Sequence, residues 1–131
     1  MRNNNTVQII DIIKDDYQNF PQQTYSIYAE DVYFEDPLNK FTGLERYKKM
    51  IGFLGTFFQD INLDLHDISQ QDRDITIEWT LNMTSPLPWK PRLAIPGETE
   101  LKLNDEDLII VHRDRWKLSR WQVLLQNFSR N

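Results

Sequence analysis

The chain has 131 residues, 40% of them apolar and 27% charged, with no cysteine and a formal charge of −5. That length suits one domain with a real core, and the missing cysteines exclude disulfides, thiol catalysis and cysteine metal sites. Phosphate backbones repel an acidic chain and no apolar run reaches membrane-spanning length, so neither nucleic acid nor a membrane is expected as a partner.

A single domain is expected over 1–131, with 1–5 as a flexible start. Thr6 reads as the N-cap of a first helix. Val7, Ile10, Ile13, Tyr17 and Phe20 recur three or four apart as its apolar stripe, which Pro21 ends. A short second helix is expected over 22–29. Val32 to Asp36 reads as a strand stopped by Pro37, and 38–43 as a loop. Thr42 and Glu45 have capping-box spacing and open a third helix. Leu44, Tyr47, Ile51, Leu54 and Phe58 form its seam, with Met50, Phe53 and Phe57 beside it. Gly52 and Gly55 in that helix suggest close approach to another backbone.

The apolar period then falls from 3.6 to 2. Ile61, Leu63 and Leu65 alternate with polar residues, and after a polar turn over 69–74 so do Ile75, Ile77, Trp79, Leu81 and Met83. Three prolines between Ser85 and Pro91 make a stiff loop. A strand resumes at Leu101–Leu103, turns over 104–107 and returns as Leu108–Trp116. Ser119 and Gln122 form a second capping box before a C-terminal helix bearing Val123, Leu124, Leu125 and Phe128. Early helices and late strands argue an α+β class, with helices packed on one face of an antiparallel sheet.

Asp36 precedes Pro37 at a strand end, where it suits a turn that binds backbone amides or a carboxylate at a pocket edge. His112, Asp114 and Trp116 share one strand face, so His112 is placed to act as acid or base oriented by Asp114. Tyr17, Tyr25, Tyr28, Phe34, Phe53, Phe57, Trp79 and Trp116 are the rings expected to line a pocket. Trp89, Lys90 and Arg92 in the proline loop read as a lid or a partner loop. The two histidines, His66 and His112, lack paired spacing, and the four glycines form no phosphate loop, so neither a metal nor a cofactor is expected.

The run Tyr28-Ala29-Glu30-Asp31-Val32-Tyr33-Phe34-Glu35-Asp36-Pro37, followed by Phe41-Thr42-Gly43-Leu44-Glu45, resembles the nuclear transport factor two-like superfamily. That superfamily includes SnoaL-like and ketosteroid-isomerase-like proteins. Thr24 to Asp31 and Pro86 to Arg92 look like an uncharacterised cyanobacterial and plastid family within it. The resemblance implies a cone-shaped roll with a ligand site at the mouth of the cone, and it brings no assigned activity. In the isomerases the position matching Asp36 holds the general base. Their tyrosine partner falls about one turn from Tyr17, and their later aspartate falls near Glu98, Thr99 or Glu100, where this chain has no Asp.

Three functions are expected. One is binding of an apolar small molecule in a pocket between helices and sheet, without catalysis. A second is a proton-transfer lyase or isomerase with Asp36 as base and Tyr17, Tyr25 or His112 as polar partner. The third is a homodimeric interaction module joined through the sheet. With no leader pattern at the start, a cytoplasmic location is expected, and an organelle interior such as the plastid stroma stays open.

Overall fold

The computed structural model describes residues 8–128. The expected flexible start, the Thr6 cap and Val7 lie outside the described residues. Three helices, α1 (Ile9–Asn19), α2 (Leu44–Phe57) and α3 (Arg120–Leu125), accompany six strands. These are β1 (Tyr28–Glu35), β2 (Lys40–Thr42), β3 (Gln59–Gln71), β4 (Asp74–Thr84), β5 (Arg92–Leu103) and β6 (Ile109–Trp116). They form one sheet in the order β2-β1-β6-β5-β4-β3. The architecture is α+β with a short C-terminal helix, as the sequence predicts.

The sheet is mixed rather than wholly antiparallel, because β1 lies parallel to β6. After β1 the hairpin strand β2 and then α2 carry the chain across to the far edge at β3. The meander β3 to β6 then returns, and β6 arrives running in β1's direction.

Several local expectations are corrected. The second helix shrinks to one 3-10 turn, Tyr25–Ile27, and Tyr28 and Ala29 already belong to β1. Short helices are marginal, and the aromatic and β-branched residues Tyr28, Val32, Tyr33 and Phe34 favour the ladder. A bulge between Tyr28 and Tyr33 absorbs the mismatch. The loop over 38–43 contains β2, and Thr42 is paired there with Tyr33 rather than capping α2. The N-cap is Gly43, whose φ of 122° admits glycine and turns the chain directly from strand to helix. The turn over 69–74 tightens to Asp72 and Arg73.

β5 begins at Arg92, well before Leu101, and carries Pro96 in its middle. Pro96 is tolerated because its carbonyl, and hence its ring nitrogen, faces the β6 side just past Trp116, the last paired residue of β6. There the carbonyl accepts from Lys117 N at 2.8 Å, and no bond to β4 is lost. Of the two helix glycines, Gly55 faces the Pro21 ring and Gly52 meets open space, so no neighbouring backbone explains either.

One buried cluster joins Ile9 and Ile13 of α1, Tyr47 and Ile51 of α2 and Val123 of α3 to the inner sheet face. That face carries Phe34, Ile75, Ile77, Trp79, Ile95 and Leu101. Gly97 is fixed by this packing. A Cβ there would overlap the Trp79 ring and stand 2.8 Å from the Arg115 carbonyl, which is backbone and cannot yield. Gly97→Ala is therefore expected to cost about 1–3 kcal/mol, read from a urea melt. A neutral result would mean that the β6 backbone at Arg115 gives way as well as the Trp79 ring.

The outer face is ion-paired across strands. Arg113 lies 3.8 Å from Glu35 and 3.5 Å from Glu100, Arg115 lies 3.6 Å from Glu98, and Lys117 lies 3.1 Å from Glu78.

Candidate functional site

Strand parity builds the site. On β6, Leu101 of β5 and Phe34 of β1 stand beside His112, Thr99 beside Asp114, and Gly97 beside Trp116. These residues share the inner face, and the arginines between them point outward. His112 is buried and Thr99 is almost wholly so.

A hydrogen-bonded chain crosses this face. The Trp79 indole N–H donates to Thr99 Oγ1 at 2.7 Å, and the Thr99 hydroxyl donates to Asp114 Oδ1 at 2.5 Å. His112 Nε2 lies 2.9 Å from the same Oδ1, so that nitrogen carries the proton. On the other side of the ring, His112 Nδ1 is 3.2 Å from the Tyr28 hydroxyl. Tyr28 and Tyr47 hydroxyls are 3.3 Å apart, and Tyr47 donates to Gln23 Oε1 at 3.3 Å. Asp114 Oδ2 is left without a protein hydrogen bond among the described residues. Burial pushes the phenols of Tyr17, Tyr28 and Tyr47 well above the ordinary tyrosine value, so all three are neutral hydrogen-bonding groups.

Two hollows meet at Asp114. The inner cavity, about 90 Å³, lies between α1, α2 and the sheet, and its polar wall is Asp16, Tyr17, Gln23, Tyr28, Tyr47, Thr99, His112 and Asp114. The outer groove, about 650 Å³, runs past α2 toward α3 along Phe53, Leu54, Leu93, Ile95, Trp116 and Leu124. Phe20, Phe34, Ile51, Trp79, Leu81 and Asp114 line both.

Asp36 borders the groove and also caps a turn. Its Oδ1 accepts from Leu38 N at 2.8 Å and Asn39 N at 2.6 Å. Burial raises its carboxyl above the usual value. The turn amides pull it back, and Asp114 adds a further upward push. A raised carboxyl binds its proton more tightly folded than unfolded. Its contribution to stability is therefore best below the unfolded range and is lost as pH rises through the raised one. Asp36→Asn keeps an Oδ1 acceptor and removes this slope. It is expected to change stability at neutral pH by less than about 1 kcal/mol, with urea melts across the acid range losing that pH dependence. A loss of several kcal/mol would mark the charge itself as structural.

The other predicted residues fall as follows. Tyr17 and Tyr28 line the inner cavity, Phe53 and Trp116 line the groove, and Phe34 and Trp79 line both. Tyr25 borders a shallow depression beside Pro21 and meets Tyr47 edge-on at 6.1 Å. Phe57 is half exposed against Phe53, with ring centres 4.5 Å apart, and lines neither hollow. Trp89 packs on Phe128 and donates to the Asn127 carbonyl, while Arg92 donates to the Asp60 carbonyl at 2.6 Å. Neither of them, nor Lys90, lines the cavity or the groove. Asp36 meets only the groove and His112 only the cavity; Asp114 meets both. His66 stands apart, 2.7 Å from Thr80 Oγ1. Among the described residues, no three His, Asp or Glu side chains gather as metal ligands.

Sequence reasoning gave Tyr47 a packing role only and did not place Thr99 or Gln23 in the site. Thr99 had a signal, a polar residue at inward parity between Gly97 and Leu101, but Pro96 hid its strand.

A family model described as "uncharacterized conserved protein (DUF2358)" matches residues 7–112. The chain belongs to this family. Among curated proteins, none matches the DUF2358 chain. Solved structures show its fold. It is similar to a ketosteroid-isomerase-like protein from Catenulispora acidiphila DSM 44928 in complex with trimethylamine, at 16% identity and TM-score 0.74, covering 92% of this chain and 94% of that one. It is similar to a SnoaL-like protein from Jannaschia sp. CCS1, at 12% and 0.76, covering 93% and 92%. It is also similar to an epoxide hydrolase of the LEH type from M. tuberculosis, at 14% and 0.70, covering 91% and 88%. The fold is therefore nuclear transport factor two-like. Among the described residues, no helix is long and apolar enough to cross a membrane.

Proposed function

We propose that this DUF2358 chain binds a small, largely apolar molecule between its helices and its sheet. The observation that carries this reading is the apolar groove of about 650 Å³ adjoining an inner cavity, with a carboxylate oxygen of Asp114 unpaired where the two meet. Concave, mostly apolar sites with a few convergent polar groups are the usual form of ligand pockets. The trimethylamine held by a protein of the same fold supports small-molecule occupancy. Native mass spectrometry of the purified chain, followed by denaturing extraction, tests it. A released apolar compound bound one per chain is the expected result. A ligand-free protein whose melting temperature moves with no apolar probe would overturn the reading.

A second reading, a proton-transfer lyase or isomerase with Asp36 as base, is favoured by one observation. The Asp36 carboxyl borders the groove, and burial raises it above the usual carboxylate value. Of Glu98, Thr99 and Glu100, near which the isomerase aspartate falls, Thr99 stands beside Asp114, whose carboxylate it meets at 2.5 Å. Solvent-deuterium incorporation into an extracted ligand, lost in Asp36→Asn, is the result expected of this reading.

A further inference from the structure

We infer that the ligand carries a protonated amine, held at Asp114 where the groove meets the inner cavity. This rests on the binding reading above and names the class of molecule it takes.

The polar groups that face the two hollows are lopsided in charge. The carboxylates are Asp16, Asp36 and Asp114; among the described residues Arg120, on α3, is the one lysine or arginine lining either hollow, and His112 lines the cavity. Asp16 is already satisfied, since Thr24 donates to it from both its backbone N, at 3.0 Å, and its hydroxyl, at 2.9 Å. Asp36 spends its Oδ1 on the turn amides. Asp114 differs. His112 and Thr99 hold its Oδ1, which fixes the carboxylate plane, and Oδ2 is left over at the junction. The Asp114 side chain is one-fifth exposed, so Oδ2 is open to a donor arriving in the hollow. A carboxylate or phosphate ligand would meet like charge from Asp36 and Asp114, opposed by Arg120 alone. An alcohol would supply one hydrogen bond but leave two carboxylates facing one largely apolar groove. An ammonium supplies both the donor and the opposite charge.

The walls fit the same head group. Phe34, Tyr28, Tyr47 and His112 form a contiguous ring cluster with centres 5.0–6.1 Å apart, and Tyr17, Phe20 and Trp79 complete the lining. Aromatic faces beside a carboxylate are how proteins hold alkylated ammonium groups out of water. The apolar body of the molecule then lies in the outer groove toward α3.

Three probes of equal length test this: octylamine, octan-1-ol and octanoate, titrated calorimetrically in physiological salt. Octylamine is expected to bind about tenfold or more tighter than octan-1-ol, with octanoate weakest. Asp114→Asn is expected to remove that preference, lowering octylamine affinity about tenfold toward that of octan-1-ol. Asp36→Asn, which leaves the Thr99 and His112 contacts intact, is expected to reduce it several-fold and serves if Asp114→Asn does not fold. Octanoate binding as well as the amine, or an amine preference that survives either variant that folds, overturns the amine assignment and leaves the pocket standing. If none of the three probes binds, the pocket reading falls and the assignment with it.

Discussion

Phe34→Ala is expected to cost about 3–5 kcal/mol, the largest single loss of any substitution in the site. Phe34 is 1% exposed. Its ring centre lies 5.1 Å from Phe41, 5.3 Å from Tyr47 and 5.0 Å from His112. Those neighbours come from β2, α2 and β6, three elements that cannot all relax into one gap. The phenyl also lines both the inner cavity and the outer groove, so its loss opens space in each. Its removal therefore has two readouts. The midpoint of a urea melt falls with little change in slope, and the enlarged hollow takes up a small aromatic such as benzene, which restores part of the melting temperature. A loss below about 1 kcal/mol would mean that α2 settles onto the sheet and the hollow closes.

Thr99→Val is expected to cost about 2–4 kcal/mol although it changes almost no volume. Thr99 is 1% exposed, and its hydroxyl sits between two partners. Without it, the indole N–H of Trp79 is buried with no acceptor, and Asp114 loses one of the donors on Oδ1. Thr99→Ser keeps both bonds and removes one methyl, so it should cost only about 1 kcal/mol. The comparison separates hydrogen bonding from packing. If serine proves as damaging as valine, the bonds add nothing net. In the valine variant Trp79 emission should also shift, because its indole has lost a fixed partner.

What the sequence revealed was local. The α2 seam from Leu44 to Phe58, the alternation from Ile75 to Met83 and the Ser119–Gln122 capping box all rest on residues within a few positions of one another. All three are present, the box with both of its hydrogen bonds. What stayed hidden depends on distant partners. Three-residue β2 exists because Tyr33, Phe34 and Glu35 pair with it. β5 was masked by Pro96, whose missing donor matters only if β6 continues beside it, and β6 stops one residue too soon. The spacing of His112 and Asp114 put them on one face of a strand. Which face was inward depended on Phe34 of β1 and Thr99 of β5, which no local pattern supplies. Trp89 reads as a lid or partner loop because it lies among prolines; its ring packs on Phe128 and stays more than half exposed, a contact between distant residues that no local pattern supplies.

The ion pairs on the outer sheet face bear on how two copies could meet there. Singly, such exposed pairs contribute little. Together they print a pattern: one row crosses the strands as Asp67, Glu78, Glu98 and Arg115, and the next as Thr76, Glu100, Arg113 and Glu35. A second copy laid face to face by a two-fold axis meets the same pattern reversed. Most sliding registers would set carboxylate over carboxylate, and few would set Arg113 or Arg115 over them. Were two copies to pair through this face, charge repulsion would work against misaligned registers, and added salt would weaken that discrimination.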